Sequence, residues 1–341
     1  MMKRDHRSVV QLRWASFINE TEFTGEALTA TLARASLIDF RPAVIMVSSS
    51  SEMLVLASSL GRQMLQMLRE AFPSTRITVV ALGCLGLHAC IHEFDRLKLK
   101  TALILLWEIP SGLQQCGLDA LGVGFEGLRA VGGIGILAIE RNCPDEIEER
   151  GAVIGGCQIF SRKPGLSSLV DLAQQIKCYL GEVQNEEDAI VSFELPIGFS
   201  RRLLALLARA LEGRTGPHTW LESSEVDGNH RLTIKPLVEI VRYSARISGV
   251  LTVLSLGGGG RVGCLRVGAA SKSLWPAESK FLAASKLDYD SVMSWAPQLI
   301  ELLSEGKIND EVGRMLLSRM FYFKYGRSGE RDHYGYCSIA L

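Results

Sequence analysis

The chain has 341 residues, enough for one large core or two fused ones, and 47% hydrophobic with 22% charged residues describes a globular protein rather than a disordered one. Lysine plus arginine total 37, as do aspartate plus glutamate, so no net field attracts a polyanion and nothing points to nucleic acid. The expected partner is a protein or a small molecule.

Apolar runs of strand length, rich in valine and isoleucine, alternate with longer segments of helical period, the pattern of an α/β architecture with buried strands. In chain order the pattern predicts a helix at Glu26 to Ala35, a strand at Ala43 to Ser48, a helix from about Met53 to Phe72 and a strand at Arg76 to Val80. A helix from Cys84 to Lys98 follows, then strands at Ala102 to Trp107 and Gly135 to Ile139. The apolar run at Thr101 to Trp107 is stopped by Glu108 and then Pro110. No uncharged apolar stretch reaches the roughly 18 residues of a membrane span, so none is expected.

The second half repeats this order, with a strand at Ala189 to Phe193, a helix at Ser200 to Leu211 and a weak strand near His218 to Glu222. A helix from about His230 to Ala245 and strands at Val250 to Leu256 and Val262 to Val267 complete it. Ala43 precedes Cys84 by 41 residues and Asp188 precedes Asn229 by the same 41, which places Cys84 and Asn229 at equivalent helix starts of a duplicated unit. Two such halves bring two helix N-termini toward one centre. A cysteine there has its thiolate favoured by unpaired N–H groups, which can also receive a carbonyl oxygen as it gains charge.

Beyond the repeat, Ala269 to Leu341 contains an amphipathic helix at Tyr289 to Leu303, another at Asn309 to Met320, and an aromatic tail from Met320. The domain reading is therefore 1–150, 151–268 and a mainly helical extension at 269–341. Eight cysteines (84, 90, 116, 143, 157, 178, 264 and 337) include no CxxC pair, and the opening Met-Met-Lys-Arg-Asp-His-Arg has no apolar secretory core. Reduced thiols and a cytoplasmic location are expected.

Three features carry a resemblance: Cys84 in a Cys-x-Gly helix start, Gly228-Asn229 about thirty residues before the glycine run Gly257 to Gly260, and the duplicated βαβαββ order. Together they resemble the thiolase-like ketosynthases, and the chain is most similar to the ketoacyl-acyl carrier protein synthase III group over roughly Glu26 to Val267. The resemblance implies two thiolase-like halves in a layered α-β-α-β-α sandwich and association through central strands. It implies Cys84 as acyl acceptor and Asn229 as ligand of the donor carbonyl. The N–H of Cys84, with one from Gly257, Gly258 or Gly259, would form the oxyanion hole. Acyl-CoA or an acyl carrier protein thioester would be the substrate, with no cofactor and no metal.

The sequence departs from that family at three places. Ile197, in Leu195-Pro-Ile-Gly-Phe-Ser200, stands where the family has its histidine, and isoleucine neither accepts a proton nor donates one. The phrase Ala130-Val-Gly132-Gly133-Ile-Gly135 lacks the family's aspartate, and Thr24 with the residues before it replaces a longer opening segment. These losses imply a degenerate subunit that pairs with a complete ketosynthase-like partner, with an active Cys84-dependent acyltransferase as the alternative.

Each residue also has a plainer reading. Cys84 suits an inert helix start, and Asn229 suits a helix cap. His88 lies four residues after Cys84, which makes it a substitute base or, with His92, a metal ligand, but also an ordinary buried histidine. His230 and His218 suit solvent or a hydrogen bond, and Arg201-Arg202 a phosphate or a solvated helix face. Gly257 to Gly260 lies between strands, which excludes a phosphate-binding loop and leaves a tight hairpin.

Overall fold

The architecture follows from how the apolar strands divide their side chains. A computed structural model of the chain describes residues 9–37, 40–50, 58–109, 129–142, 152–161, 168–181, 189–193, 219–222, 229–243, 250–257, 261–269 and 337–340. The first half supplies β1 (Val9–Asn19), β2 (Val44–Ser48), β3 (Arg76–Ala81), β4 (Thr101–Trp107), β5 (Arg129–Ala130) and β6 (Gly133–Asn142). The second supplies β7 (Ala152–Ser161), β8 (Ala189–Phe193), β9 (Thr219–Glu222), β10 (Asn229–His230), β11 (Val250–Gly257) and β12 (Arg261–Ala269), and β13 (Cys337–Ala340) lies near the C-terminus. The described helices are α1 (Gly25–Leu37), α2 (Ser59–Ala71), α3 (Gly86–Arg96), α4 (Ser168–Gly181) and α5 (Lys235–Tyr243).

Eleven strands share one sheet in the order β13-β3-β2-β4-β6-β1-β7-β12-β11-β8-β9. Leaving β13 aside, the run β3-β2-β4-β6-β1 is mirrored by β9-β8-β11-β12-β7. The halves join where β1 meets β7 antiparallel, Val10 opposite Ile154, Gln11 opposite Val153 and Leu12 opposite Ala152. In each half the outer three strands run parallel and the inner hairpin partner runs against them.

Alternate residues of one strand enter different cores. Val44, Met46, Ala102, Ile104, Leu106, Leu137 and Ile139 face a cluster that also takes Leu251, Val253, Leu265 and Val267 from the second half, with α3 and α5 residues between them. Ile45, Val47, Leu103, Leu105, Trp107, Ile134 and Ile136 face a second cluster with Leu28 and Leu32 of α1 and Met64, Leu65 and Leu68 of α2. Helix α3 touches β2, β3 and β4 on one side and β7 and β12 on the other. On the outer side of the second half, Tyr179 of α4 meets Phe160 edge to face at 5.7 Å between centroids. The layers are thus α1/α2, first half-sheet, α3/α5, second half-sheet and α4, the sandwich expected. Strands covered on both faces read as unbroken apolar runs for this reason.

Several boundaries differ from expectation. The helix expected from Met53 is described from Ser59, where Ser58 caps it by accepting from Gly61 N–H at 2.9 Å. The helix expected from Cys84 opens as a tighter 3-10 turn at Gly83–Leu85, becomes α-helical at Gly86 and stops at Arg96, with Lys98 at φ 50°. Strands β1 and β7 and helix α4 were not expected. Gln11 and Arg13 interrupt the apolar pattern of β1, yet Gln11 is buried and its Oε1 accepts from Asn142 Nδ2 at 2.8 Å. The helices expected at Ser200 to Leu211, Tyr289 to Leu303 and Asn309 to Met320, with the aromatic tail, lie outside the described residues. No helix among the described residues is long and apolar enough to cross a membrane.

Gly133 opens β6 against β1, and a Cβ there would sit 2.7 Å from the Ile18 carbonyl oxygen and 2.7 Å from the Phe17 ring. Backbone cannot yield as a side-chain tip can. Gly133→Ala is expected to cost about 1–3 kcal/mol, the range for overpacking a core, measured as a lower urea midpoint at unchanged m-value.

Candidate functional site

Both inner helices begin the same way. Gly83 adopts φ 57° and leads through Cys84 and Leu85 into α3, while Leu232 adopts φ 53° and leads through Thr233 and Ile234 into α5. Glycine takes this left-handed conformation freely; for leucine it costs about 1–2 kcal/mol. The structural counterpart of Cys84 is therefore Thr233. This corrects the spacing argument: Asn229 is not at the equivalent helix start but four residues earlier, in the two-residue strand β10.

The segment that carries Asn229 nevertheless reaches the cysteine turn. Strand β10 pairs parallel with β5, Asn229 opposite Arg129 and His230 opposite Ala130. Ala130 and Leu232 form a small apolar cluster, and partly buried Cys84 packs against it. The turn Gly83–Leu85 also contacts the turn Leu232–Ile234 and β11. Arg231 anchors the second turn to the first half: its Nη1 donates to Asn19 Oδ1 at 3.5 Å and its guanidinium lies 5.2 Å from the Phe17 ring centroid. Gly257 ends β11 opposite Arg261, while Gly258, Gly259 and Ile197 lie outside the described residues.

The two turns approach closely because Gly86 has no side chain. A Cβ there would meet Ser48 Oγ at 2.1 Å and Thr233 Cγ2 at 2.9 Å. Gly132 is similarly confined, with Glu20 Oε2 at 2.2 Å and the Glu108 carbonyl oxygen at 2.6 Å from its built Cβ. Gly132 and Gly133 therefore sit where no side chain fits.

His88 is fully buried on α3, and its ring lies against Gly263, whose built Cβ would meet Nε2 at 2.6 Å. Burial first, and His92 second, lower its pKa to about 3. An imidazole so weakly basic stays neutral at neutral pH. Burial likewise lowers the pKa of His92, opposed by Asp95. Buried Cys90 and Cys264 and partly buried Cys157 have pKa values raised chiefly by loss of solvation, so these thiols stay protonated. Among the described residues, no group of three or more His, Cys, Asp or Glu side chains is placed to hold a metal ion.

Sequence reasoning missed Glu108, which it used only as the charge ending an apolar run. The structure buries it completely at the junction of the halves. Its Oε1 accepts from Ser50 N at 2.6 Å, Thr233 N at 3.3 Å and Thr233 Oγ1 at 2.5 Å; its Oε2 accepts from Ser50 Oγ at 2.8 Å and Ser49 Oγ at 3.4 Å. Burial pushes its pKa up to about 7, opposed by the hydroxyl and N–H bonds from Thr233 and Ser50. The available signal was a carboxylate directly after a buried strand, level with the hydroxyl run Ser48-Ser-Ser50 ending the neighbouring one.

The raised pKa fixes the sign of a pH effect. Folding favours protonated Glu108, so its contribution is complete below the ordinary value of 4.5 and is lost as pH rises to about 7. That loss is on the order of 3 kcal/mol. His88 has the opposite sign, losing stability as pH falls from 6.5 toward about 3. The difference between wild type and Glu108→Gln isolates the carboxylate: urea melts from pH 5 to 8 are expected to show the variant gaining on wild type as pH rises, whereas a constant difference would contradict this account.

No protein-family model matches the sequence, and no curated protein sequence matches it. Solved structures do match. OleA of Xanthomonas campestris with bound cerulenin is 12% identical, over 77% of this chain and 98% of that one, at a TM-score of 0.52. A variant of the same OleA with bound lauric acid and lauroyl-CoA is 12% identical over 76% of this chain and 98% of that one, at 0.51. The 3-oxoacyl-(acyl carrier protein) synthase III, FabH, of Xanthomonas oryzae pv. oryzae is 10% identical over 76% and 98%, at 0.51. The fold of this chain is the thiolase-like fold of the ketosynthase III enzymes.

Proposed function

We propose that this chain is a degenerate ketosynthase III-like subunit. It pairs with a complete ketosynthase-like protein in fatty-acid-derived or polyketide-type specialised metabolite biosynthesis, in the cytoplasm, with acyl-CoA or acyl carrier protein thioesters as the substrates of the pair. The carrying observation is the state of the base. A condensing site needs a thiolate to take the acyl group and a neutral imidazole with an asparagine to bind the donor carbonyl while carbon dioxide leaves. Here Cys84 keeps its place on the left-handed turn at Gly83, but Ile197 stands at the histidine position, and His88 lies against Gly263 with its basicity suppressed by burial. The interior that carries a condensing site is retained while one of its chemical groups is absent.

Purified alone and given an acyl thioester with a malonyl thioester, the chain is expected to yield no condensation product, and purification from the native host is expected to bring down a ketosynthase-like chain with an intact Cys-His-Asn set. A stable homodimer that makes the β-ketoacyl product by itself would sink the proposal.

A second reading is favoured by the setting of Cys84, which is partly buried on a helix-leading turn, whereas Cys90 within α3 and Cys264 are buried. Acyl transfer to a nucleophile without malonyl decarboxylation needs a thiol and an oxyanion site but not the donor-binding histidine. Intact-mass spectrometry after incubation with acyl-CoA decides between the readings: an adduct lost in Cys84→Ala supports the transferase, and no adduct supports the degenerate subunit.

A further inference from the structure

The buried carboxylate of Glu108 touches the two segments that frame the cysteine turn. Ser49 and Ser50 follow β2, and Ser48 just before them donates to the Val80 carbonyl at 2.6 Å, in the strand that leads to Cys84. Thr233 follows strained Leu232, two residues before the start of α5. Gly86, two residues after Cys84, is wedged between Ser48 and Thr233. Glu108 is itself fixed in place, because its N–H donates to Gly133 O at 2.9 Å and its carbonyl accepts from Gly133 N at 3.3 Å.

We propose that Glu108 is a positioning residue for the Cys84 site: through its bonds to Thr233 and Ser50 it clamps the second-half turn onto the cysteine turn, tightly when protonated and loosely when ionised. The inference deepens the proposed function and rests on that reading for calling Cys84 the site. The clamp itself is a property of the chain without substrate or partner.

The direction follows from solvation. Ionised Glu108 gains hydration only if the clamp opens, so opening becomes easier with pH, by up to about tenfold per pH unit between the exposed and buried pKa values. The four hydrogen bonds from Thr233 and Ser50 limit this gain but do not cancel it, since burial is the largest influence. Other ionisable groups on the surrounding elements are Glu20 and Glu22 on the turn after β1, Cys84, His88, Arg231, and Lys235 with its buried partner Glu239 at 3.2 Å. None of them is a cause of the Glu108 shift, which arises from burial and from Thr233 and Ser50 alone. A carboxylate placed for packing alone would loosen the fold as a whole. A clamp loosens these segments together and ahead of the rest.

Hydrogen–deuterium exchange read by mass spectrometry from pH 5.5 to 8.5, corrected for the intrinsic rate, tests this. Peptides containing Ser50, Cys84 and Thr233 are expected to gain exchange together as pH rises toward about 7 and to level off above it in wild type, and to stay flat in Glu108→Gln. Thr233→Val, which keeps the side-chain shape but removes a bond favouring ionised Glu108, is expected to move the midpoint up by about one pH unit. A Glu108→Gln profile that follows wild type overturns the proposal, as does a Cys84 peptide indifferent to pH while the Thr233 peptide responds. Because no turnover is measured, either result leaves the functional reading to its own test.

Discussion

The fold depends on placing a helix where no side of it meets water. From Gly86 to Phe94 every residue of α3 is buried, between the sheet of one half and the sheet of the other. That constraint explains the local sequence. Leu87, Ile91 and Phe94 fill the two apolar interfaces, glycines thin the neighbouring backbone, and the histidines caught in the layer lose their ordinary basicity. Glu93 is held by Arg96 through Nε at 2.7 Å, and Lys235 by Glu239, because a buried charge without a partner costs several kcal/mol. His88 has no charge left to pair.

Much of this was legible. The strands announce themselves because β2, β4 and β6 present apolar side chains to both cores, and the duplicated order shows in the spacing of apolar runs. What escaped did so for physical reasons. Strand β1 carries Gln11 and Arg13 because one hydrogen-bonds Asn142 inside the sheet and the other reaches Glu140 at 3.6 Å, so partners rather than hydropathy explain them. The register between halves was misjudged because Asn229 resembles a helix cap, whereas the left-handed residue that marks the turn is a leucine in one copy and a glycine in the other. Backbone conformation, not residue type, aligned Cys84 with Thr233.

The site was legible in part. Cys84 and Asn229 stand out in the sequence, and the structure brings the segments that carry them together through Ala130 and Leu232. Glu108 was invisible because a lone carboxylate after a strand becomes meaningful only when two segments far apart in sequence both donate to it. Its partners Ser50 and Thr233 lie 58 and 125 residues away. Such a contact is a product of the duplication: one copy contributes the acceptor and the other the threonine that stands where the first copy has its cysteine.

The four-residue strand β13 runs antiparallel to β3, Ser338 opposite Val80 and Ile339 opposite Val79. Within the eleven-stranded sheet it is the one described strand outside the mirrored order, and it changes what the ends of that sheet offer. The outermost hydrogen-bonding groups of the first half are taken by the chain's own tail, while the corresponding end of the second half is β9. Any other chain adding a strand beside β3 competes with an intramolecular rival whose effective concentration is set by its tether rather than by the amount of protein in solution. Association at that edge is thereby an exchange of strands, with affinity reporting the difference between two pairings instead of the strength of one.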